Sequence, residues 1–332
     1  MQYDFGFRFN VGNEVGAGHF FRCLSIAEKL IEKKLKVIFI INDKNDIESY
    51  LKNKKISVYL LNEKKEEKRI LECKKLVKNI SKLIIDLPFH NELYSNKLKN
   101  YFKLVIIDDI GGKKISSEIL VNGSVVKEFQ NYSLDKRKTK FFSGSKYMIL
   151  RSQFVKIRED IKLKKKIKNI LIVFGGSDEK NITKKILPYF LDKSYNITIL
   201  LGPSNKFKNE LEEIVLKNKL IKIVSNENNI AKLFAKHDLI ISSSGITSYE
   251  LACLGITSIF IPMDKYQEKT SRKFEKLGFG INYGFWDNDF KKLEKIILLI
   301  TDFSKREKMY FLGRDLIDGL GSDRILKEII KK

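Results

Sequence analysis

Short apolar runs alternate along the whole chain with longer segments in which apolar residues recur every three or four positions. A run with period two, or a short stretch of Ile, Val and Leu, favours a strand, and the longer period favours a helix. The strand-like runs cover residues 3–9, 36–41, 57–61, 82–86, 104–108 and 119–122, then 169–174, 196–201, 221–224, 238–242 and 257–261. Strands that alternate with helices predict βαβ units and parallel sheets.

The first strand and the first helix carry the clearest pattern. Residues 3–9 alternate with period two, so we expect four aromatic side chains on one face: Tyr3, Phe5, Phe7 and Phe9. A helix begins near His19, and lysines at its C-terminal end favour the helix dipole. Its apolar residues are Phe20, Leu24, Ala27 and Ile31. Two further helical patterns, over residues 290–300 and 324–330, close the chain.

A length of 332 residues indicates two domains. Lysine dominates residues 157–168, and we interpret this segment as the solvated link; a charged helix face is the alternative and leaves the boundary nearby. We expect an α/β protein with two doubly wound, Rossmann-like domains, residues 1–155 and 156–332, whose parallel sheets face a cleft. The last helix can return to the first domain. Ligands of such sheets bind at the carboxyl ends of the strands.

The net charge of +23 comes mainly from lysine, since only ten basic residues are arginine. The lysines are spread along every helix and mixed with acidic residues, whereas a protein that reads nucleic-acid bases more often concentrates arginine on one face. We therefore expect no nucleic-acid partner. A small anionic substrate such as a nucleotide would still be attracted by this charge.

Several other classes are excluded by what the chain lacks. No apolar run approaches the 18 residues of a membrane span, and the first residues have no signal-peptide pattern. Widely separated cysteines and histidines argue against a disulfide framework and a metal centre; they are Cys23, Cys73, Cys253, His19, His90 and His237. We expect a cytoplasmic protein with a small-molecule substrate and no cofactor. The sequence leaves the oligomeric state open.

The first candidate site is the segment GAGHFFRC, residues 16–23, between the first strand and the first helix. Gly16 and Gly18 let the backbone approach a ligand, and a helix N-terminus favours anions. It is not the dinucleotide fingerprint, because Phe21 stands where the third glycine belongs. The positive end of the helix dipole favours a neutral, basic imidazole at His19. A capping loop with an incidental histidine is the alternative.

Two more candidate turns follow strands of the second half. The segment FGGSD places Gly175, Gly176 and Ser177 where backbone amides can cradle a pyrophosphate; an ordinary turn capped by Ser177 or Asp178 is the alternative. The segment SSSGITSYE presents amides and hydroxyls from Ser243, Ser244, Gly245 and Thr247. Glu250, one turn further, can accept from ribose hydroxyls, with a capping box as its rival. Gln267 follows the next strand and can reach a sugar or phosphate.

Catalysis by a serine nucleophile is disfavoured because no Gly-x-Ser-x-Gly elbow occurs. Three carboxylates end strands of the first half: Asp86, Asp108 and Asp109. They either point into the cleft or cap the turns that follow.

Together these motifs resemble the two-domain nucleotide-sugar hydrolases of pseudaminic acid biosynthesis, which remove UDP from UDP-2,4-diacetamido-2,4,6-trideoxy-β-L-altropyranose. Related proteins belong to spore-coat polysaccharide biosynthesis, and the wider relation is to the GT-B glycosyltransferases. The resemblance spans roughly residues 5–285. It rests on Phe7, Arg8, residues 16–27, Tyr147, Leu150, Arg151, Phe154, residues 175–178, 244–250 and 254–256, and Gln267.

The resemblance implies a GT-B fold with UDP bound by the C-terminal domain. Glu250 then holds the ribose, while the Gly175-Gly176 turn and the turn of residues 243–247 hold the diphosphate. Ser177 and Gln267 complete the expected nucleotide-binding residues. His19 activates or positions the water that releases UDP. The remaining substrate contacts implied are Asn10, Gly16, Gly18, Arg22, Asp86 and Arg151. Dipoles and amides can assist the departure of a diphosphate without a metal.

Two positions depart from the family pattern. Asn10 stands where the family has an aspartate, and the strand-end Asp-x-Tyr of the family reads Asp86-Leu87-Pro88 here. The sugar contact of that tyrosine is therefore missing, or His90 or Tyr94 supplies it. A hydrolase of a UDP-linked diacetamido-trideoxyhexose is the leading hypothesis. A GT-B glycosyltransferase and a non-catalytic nucleotide-sugar sensor are the alternatives.

Overall fold

The computed structural model describes residues 2–12, 18–43, 47, 51, 54, 56–202, 205–216, 218–225, 227 and 229–331. The chain divides into two compact units, one of Met1–Arg151 with Leu320–Lys332 and one of Ser152–Gly319. The division thus falls four residues before the expected boundary of 155/156. The lysine-rich segment 157–168 lies in the second unit, where Arg306 donates to the carbonyls of Lys164 and Lys165 at 2.8 and 2.6 Å.

The first unit is built on a parallel sheet in which the structure describes seven strands in the order β3-β2-β1-β4-β5-β7-β9. The strands are β1 (Tyr3–Phe9), β2 (Val37–Ile41), β3 (Ser57–Leu60), β4 (Ile80–Asp86), β5 (Lys103–Ile107), β7 (Ile119–Asn122) and β9 (Lys140–Ser143). A separate pair consists of β6 (Lys113–Lys114) and β8 (Tyr132–Ser133). The helices of this unit are α1 (Gly18–Glu32), α2 (Glu66–Lys75), α3 (Asn91–Leu98) and, from the end of the chain, α12 (Gly321–Ile329).

Strand β1 shows how its alternating sequence pattern determines which side chains pack in the core. Phe5, Phe7 and Phe9 are buried together with the apolar face of α1. Tyr3 instead packs against the cluster on the other side of the sheet, so the expected row of four aromatics contains three. Arg8 lies between Phe7 and Phe9 in the sequence and is fully buried.

The second unit repeats this architecture. Its parallel sheet has the order β12-β11-β10-β13-β14-β15, formed by β10 (Asn169–Val173), β11 (Asn196–Leu201), β12 (Ile221–Ser225), β13 (Leu239–Ser242), β14 (Ser258–Phe260) and β15 (Ile281–Asn282). Its helices are α4 (Ser152–Ile157), α5 (Ile182–Ile186), α6 (Lys208–Val215), α7 (Ile230–Ala235), α8 (Ile246–Leu254), α9 (Lys265–Lys276), α10 (Leu293–Leu299) and α11 (Phe303–Leu316). The predicted doubly wound parallel sheets are confirmed in both units.

Strands β9 and β15 and helix α11 are among the elements for which the hydrophobic pattern gave no bounds. The exposed side of α11 carries Phe311 and Leu312 as well as lysines, which blurs its amphipathic period. Among the described residues, no helix combines the length and the apolar character that crossing a membrane requires.

Candidate functional site

The first candidate site lies at the carboxyl end of the first sheet, where the strand order reverses. From β1 the chain continues to β2 on one side and later to β4 on the other, and Phe9 of β1 is in register with Asp86 of β4. Such a reversal opens a crevice that doubly wound folds use for ligands. Helix α1 begins at Gly18, directly after this crevice, whereas Gly16 lies outside the described residues.

His19 and Asp86 form the central contact of this site. The Nδ1 atom of His19 lies 2.6 Å from Oδ1 of Asp86. Nη2 of Arg22 lies 3.1 Å from the same nitrogen, but the contact with Asp86 is shorter. Because a carboxylate only accepts hydrogen bonds, we assign the proton to Nδ1, which leaves Nε2 as the basic nitrogen. The His19 side chain is 13% exposed and that of Asp86 is 1% exposed. The imidazole is therefore oriented by a buried carboxylate and remains within reach of a ligand.

Arg22, one turn further along α1, fixes this carboxylate. Its Nε donates to Oδ2 of Asp86 at 2.9 Å and its Nη2 to Oδ1 at 2.6 Å, while its Nη1 donates to both oxygens of Asp109 at 2.6 Å. Burial alone would raise the pKa of Asp86, but the charges of Arg22 and His19 outweigh it, and the pKa lies below its usual range. Burial likewise opposes the charge of Arg22, but Asp109 and Asp86 hold its pKa above the ordinary value.

Asp109 joins the site through its contact with Arg22. The sequence did not indicate this pairing. Asp108, next to it, turns away from this cluster and accepts from the amides of Ile110 and Gly111 at 3.2 and 3.0 Å. The turn-capping interpretation of Asp108 is therefore confirmed. Lys113 also donates to Asp108, at 2.5 Å.

Asn10 and Arg8 form a second network, in which Arg8 is fully buried and Asn10 is half-buried. Asn10 accepts from Nη1 of Arg8 at 2.8 Å, and the carboxylate that pairs with Arg8 is Glu66, at 3.2 Å. Tyr94 is completely buried; its hydroxyl donates to Glu66 at 2.7 Å and accepts from Arg8 at 3.0 Å. The expectation that Tyr94 supplies a sugar contact is wrong, because its polar atom is bonded inside the core. His90, half-buried before α3, remains a prediction for that contact.

Two further residues of the first unit have clear surroundings. Cys23 lies on α1 and is fully buried in the apolar cluster of this unit, so it fills the core. Burial raises the pKa of its thiol well above the ordinary value. The guanidinium carbon of Arg151 lies 5.0 Å from the centre of the Phe21 ring, which holds this arginine beside α1.

The second candidate site lies at the equivalent reversal of the second sheet. Strands β10 and β13 are neighbours here, with Val173 in register with Ser242, so the turns after them lie side by side. Gly175 and Gly176 are exposed, and a Cβ on either would meet no heavy atom within 4 Å. Ser177 is half-buried. This turn therefore leaves open space directly above its backbone.

Asp178 ends the glycine turn with a structural role. It is 3% exposed, and its carboxylate accepts from the amides of Ile182 and Thr183 at 2.9 and 3.0 Å. This confirms the capping interpretation for Asp178. Burial raises the pKa of Asp178 in spite of the two amides.

The serine-rich turn after β13 uses much of its hydroxyl chemistry internally. Ser244 donates to the carbonyl of Gln267 at 2.7 Å, and Ser248 donates to the carbonyl of Gly245, also at 2.7 Å. Ser243 is 7% exposed, whereas Gly245 and Thr247 are half-buried. Side chains thus hold this backbone, and its amides at the start of α8 are the groups suited to phosphate oxygens.

Glu250 and Gln267 lie on the helices next to this turn. Glu250 is 1% exposed on α8, one turn after its start. Gln267 lies in the first turn of α9 and accepts from the amide of Met263 at 3.2 Å, while Asp264 caps the helix. The contacts proposed for these residues with a ribose or phosphate stay predictions. Among the described residues, no three side chains form a group suited to a metal ion.

Residues 145–310 match the C-terminal domain of glycosyltransferase family 28. This match covers half of the chain, which therefore belongs to that family. Among solved structures, MurG of Acinetobacter baumannii superposes with a TM-score of 0.70 at 13% identity, covering 99% of this chain and 100% of that one. The UDP-GlcNAc 2-epimerase of Neisseria meningitidis gives a TM-score of 0.70 at 12% identity, with the same coverage. The chain has the GT-B fold.

Three relatives are similar in sequence. The chain is 30% identical over 331 residues to the uncharacterized protein MJ1062 of Methanocaldococcus jannaschii, covering 95% of this chain but only 64% of that protein. It is 27% identical over 325 residues to the spore coat polysaccharide biosynthesis protein SpsG of Bacillus subtilis, covering 95% and 94%. It is 28% identical over 191 residues to the UDP-2,4-diacetamido-2,4,6-trideoxy-beta-L-altropyranose hydrolase of Campylobacter jejuni, covering 57% and 68%.

Proposed function

We propose that this protein is an enzyme that acts on a nucleotide sugar in the formation of a surface polysaccharide or glycan. The family match and the GT-B fold support an enzyme of this class. The names of two relatives, a spore coat polysaccharide biosynthesis protein and a UDP-sugar hydrolase, support the substrate class. Fold alone carries no activity, so the argument depends on the side chains at the first candidate site.

We further propose that the reaction is hydrolysis, releasing UDP from a UDP-linked 2,4-diacetamido-2,4,6-trideoxyhexose. The observation that carries this is the 2.6 Å contact between His19 Nδ1 and Asp86. It leaves Nε2 of His19 free to take a proton from an attacking water. The water oxygen bonds to the anomeric carbon, the bond from that carbon to the diphosphate breaks, and UDP leaves with the electron pair.

The charges around His19 favour this proton transfer. Asp86 and Asp109 are negative and Arg22 is positive, so the cluster carries one net negative charge while the imidazole is neutral. A proton on His19 Nε2 brings the cluster to neutrality, which stabilises the imidazolium formed during the reaction. Arg22 also keeps Asp86 ionised, as the lowered pKa of that carboxyl indicates.

Glycosyl transfer is the second candidate, and the family match favours it. The same imidazole would then take the proton of an acceptor hydroxyl instead of a water proton. The two reactions differ in one respect that can be measured: the transferase requires an acceptor before UDP is released.

Phosphorus NMR of the protein with a UDP-linked diacetamido-trideoxyhexose and no acceptor tests the proposal. We expect free UDP and free sugar from the wild type, and a loss of turnover of about 10³-fold in His19→Ala. Calorimetric titration with UDP is the control, since we expect the variant to keep its UDP affinity. UDP binding without release in the wild type would favour the transferase, and turnover in His19→Ala within a few-fold of wild type would overturn the role of His19.

A further inference from the structure

Trp286, the only tryptophan of the chain, lies at the same sheet edge as the glycine turn of the second unit. It follows β15, and its amide donates to the carbonyl of Pro262 at 3.2 Å, just beyond β14. The side chain is half-buried and packs at the border of the apolar core of this unit. An aromatic ring is thus anchored next to the turns that follow the central strands.

Two lysines from the segment after the glycine turn share the Trp286 ring. The ammonium nitrogen of Lys180 lies 4.9 Å from the ring centre and that of Lys185 lies 4.1 Å from it. Neither lysine forms an ion pair with a carboxylate of the described residues, whereas their neighbour Lys184 pairs with Glu210 at 2.6 Å. The charge of Lys185 also acts on the nearby carboxylate of Asp178, where it opposes the rise in pKa that burial causes. Two ammonium groups at one ring still make this position attractive to an anion.

The backbone that carries Lys180 is held in an unusual conformation. Asp178 and Asn181, on either side of it, have φ values of 46° and 49°, and Gly175 has a φ of 68°. Residues other than glycine rarely adopt this backbone region. Backbone strain of this kind concentrates at ligand-binding segments. Asn181 also keeps a buried Oδ1 without a hydrogen-bond partner. The open space above Gly175 and Gly176 lies in the same segment.

We propose that Lys180 binds the diphosphate of the nucleotide, and that Trp286 holds its ammonium group while the site is empty. This rests on the proposed function, because it assumes a nucleoside diphosphate at the second sheet edge. A lysine ammonium is a compact charge that pairs strongly with phosphate oxygens, so an arriving diphosphate draws Lys180 from the ring. Lys185, on the short helix α5, stays on the indole.

Titration with UDP and with UMP, followed by the fluorescence of Trp286 and by calorimetry, tests this assignment. We expect UDP to change the emission of the wild type, because one cation leaves the ring. Lys180→Gln should weaken UDP binding about tenfold but UMP binding by only about twofold, since the variant removes a contact to the second phosphate.

Two variants serve as controls. Lys184→Gln removes a lysine of the same segment whose charge is already paired, and it should leave the UDP affinity unchanged. Trp286→Phe should abolish the fluorescence signal and keep the UDP affinity within about threefold by calorimetry, because the ring holds the lysine only in the empty state.

The outcomes separate this proposal from the function on which it rests. If the wild type binds neither UDP nor UMP, the proposed function itself fails. If it binds UDP and Lys180→Gln binds equally well, or if the tenfold loss appears in Lys185→Gln instead, the assignment of Lys180 is overturned while the proposed function stands. An equal loss of UDP and UMP affinity in Lys180→Gln would also overturn its contact with the second phosphate.

Discussion

The carboxyl edges of the two sheets have the same strand topology but differ in the groups that they present. At the first edge, charged side chains form a closed network around His19, in which Arg22 joins Asp86 to Asp109. At the second edge, the polar side chains are largely bonded to their own backbone, as with Asp178 and Ser244. Under the proposed function, the first edge carries out proton transfer, and the second binds the nucleotide through its amides and open space. One architecture, used twice, thus presents two different sets of groups because the turns after its strands differ.

Replacement of Asp86, at the first edge, should give the largest difference between the effect on kcat and the effect on UDP affinity. Asp86→Asn is expected to lower kcat for UDP release by about 10³-fold, because an amide can offer its NH₂ group to His19 and no longer fixes the tautomer. UDP affinity, measured by calorimetry, should stay within about twofold. Asp109→Asn touches Arg22 but not His19, so a loss of only about tenfold is expected. A drop in UDP affinity as large as the drop in kcat would contradict the division between the edges.

Tyr94 tests whether the network around Arg8 belongs to the core rather than to the first edge. Tyr94→Phe removes the hydroxyl that joins Arg8 to Glu66, and we expect a loss of about 1–2 kcal/mol in the free energy of unfolding. Urea denaturation measures this loss, and kcat should stay within about twofold of the wild type. A large fall in kcat with unchanged stability would indicate instead that the Tyr94 hydroxyl contacts the substrate.

Substitution of Gly176 tests whether the ligand approaches the backbone of the glycine turn at the second edge. A methyl group there meets no protein atom within 4 Å, so Gly176→Ala should change the free energy of unfolding by less than about 0.5 kcal/mol. UDP affinity should nevertheless fall about tenfold, because the methyl group takes the place of the ligand. Gly202→Ala is the matched contrast: its Cβ would lie 2.3 Å from the carbonyl oxygen of Gly176, so we expect it to lose stability. Unchanged UDP binding in Gly176→Ala would place the ligand elsewhere.

The pH dependence of stability should have opposite signs for the two buried aspartates. Burial acts against both charges, but the pKa of Asp86 is lowered by Arg22 and His19, whereas that of Asp178 is raised. The stability that Asp86 contributes is therefore present above its unfolded pKa of about 3.9 and is lost as the pH falls through the folded pKa. The contribution of Asp178 is fully present below about 3.9 and is lost as the pH rises through its raised pKa.

Urea denaturation of Asp86→Asn and Asp178→Asn between about pH 6 and pH 2.5 measures this contrast. Relative to the wild type, the deficit of Asp86→Asn should stay constant down to about pH 4 and shrink below it. The deficit of Asp178→Asn should grow as the pH falls from about 6 to 4. Parallel curves for the two variants would show that the two carboxyls do not differ in this way.

The hydrophobic pattern predicted β1–β5, β7 and β10–β14, because a buried parallel strand needs a continuous apolar run, but it did not predict the two-residue strand β15. The runs at residues 119–122 and 196–201 have the bounds of β7 and β11 as the structure has them. Strand β9 was not predicted, because its two central residues are only half-buried, its two end residues are exposed, and Lys140–Ser143 form no apolar run of the usual length. Tyr3 was assigned to the wrong face, because the period-two pattern does not tell where the strand leaves the core.

The candidate sites were predictable in part. Glycine and serine turns after strands mark where a chain can approach a ligand, so residues 16–18, 175–177 and 243–247 were identifiable from local sequence. The partners were not, since Arg22 meets Asp86 across 64 positions and Arg8 meets Glu66 across 58. Such pairs depend on strand order and register, which local sequence does not encode.

By itself, the sequence determined the alternation of strands and helices, the parallel sheets and the turns that carry glycine, serine and His19. These are consequences of short-range periodicity and backbone conformation. Only the tertiary structure decided which carboxylate orients His19, that Tyr94 is bonded inside the core, and that Lys180 and Lys185 meet at Trp286. The physical reason is that hydrogen bonds and charge pairs act over a few ångströms, and folding alone brings residues distant in the chain within that range.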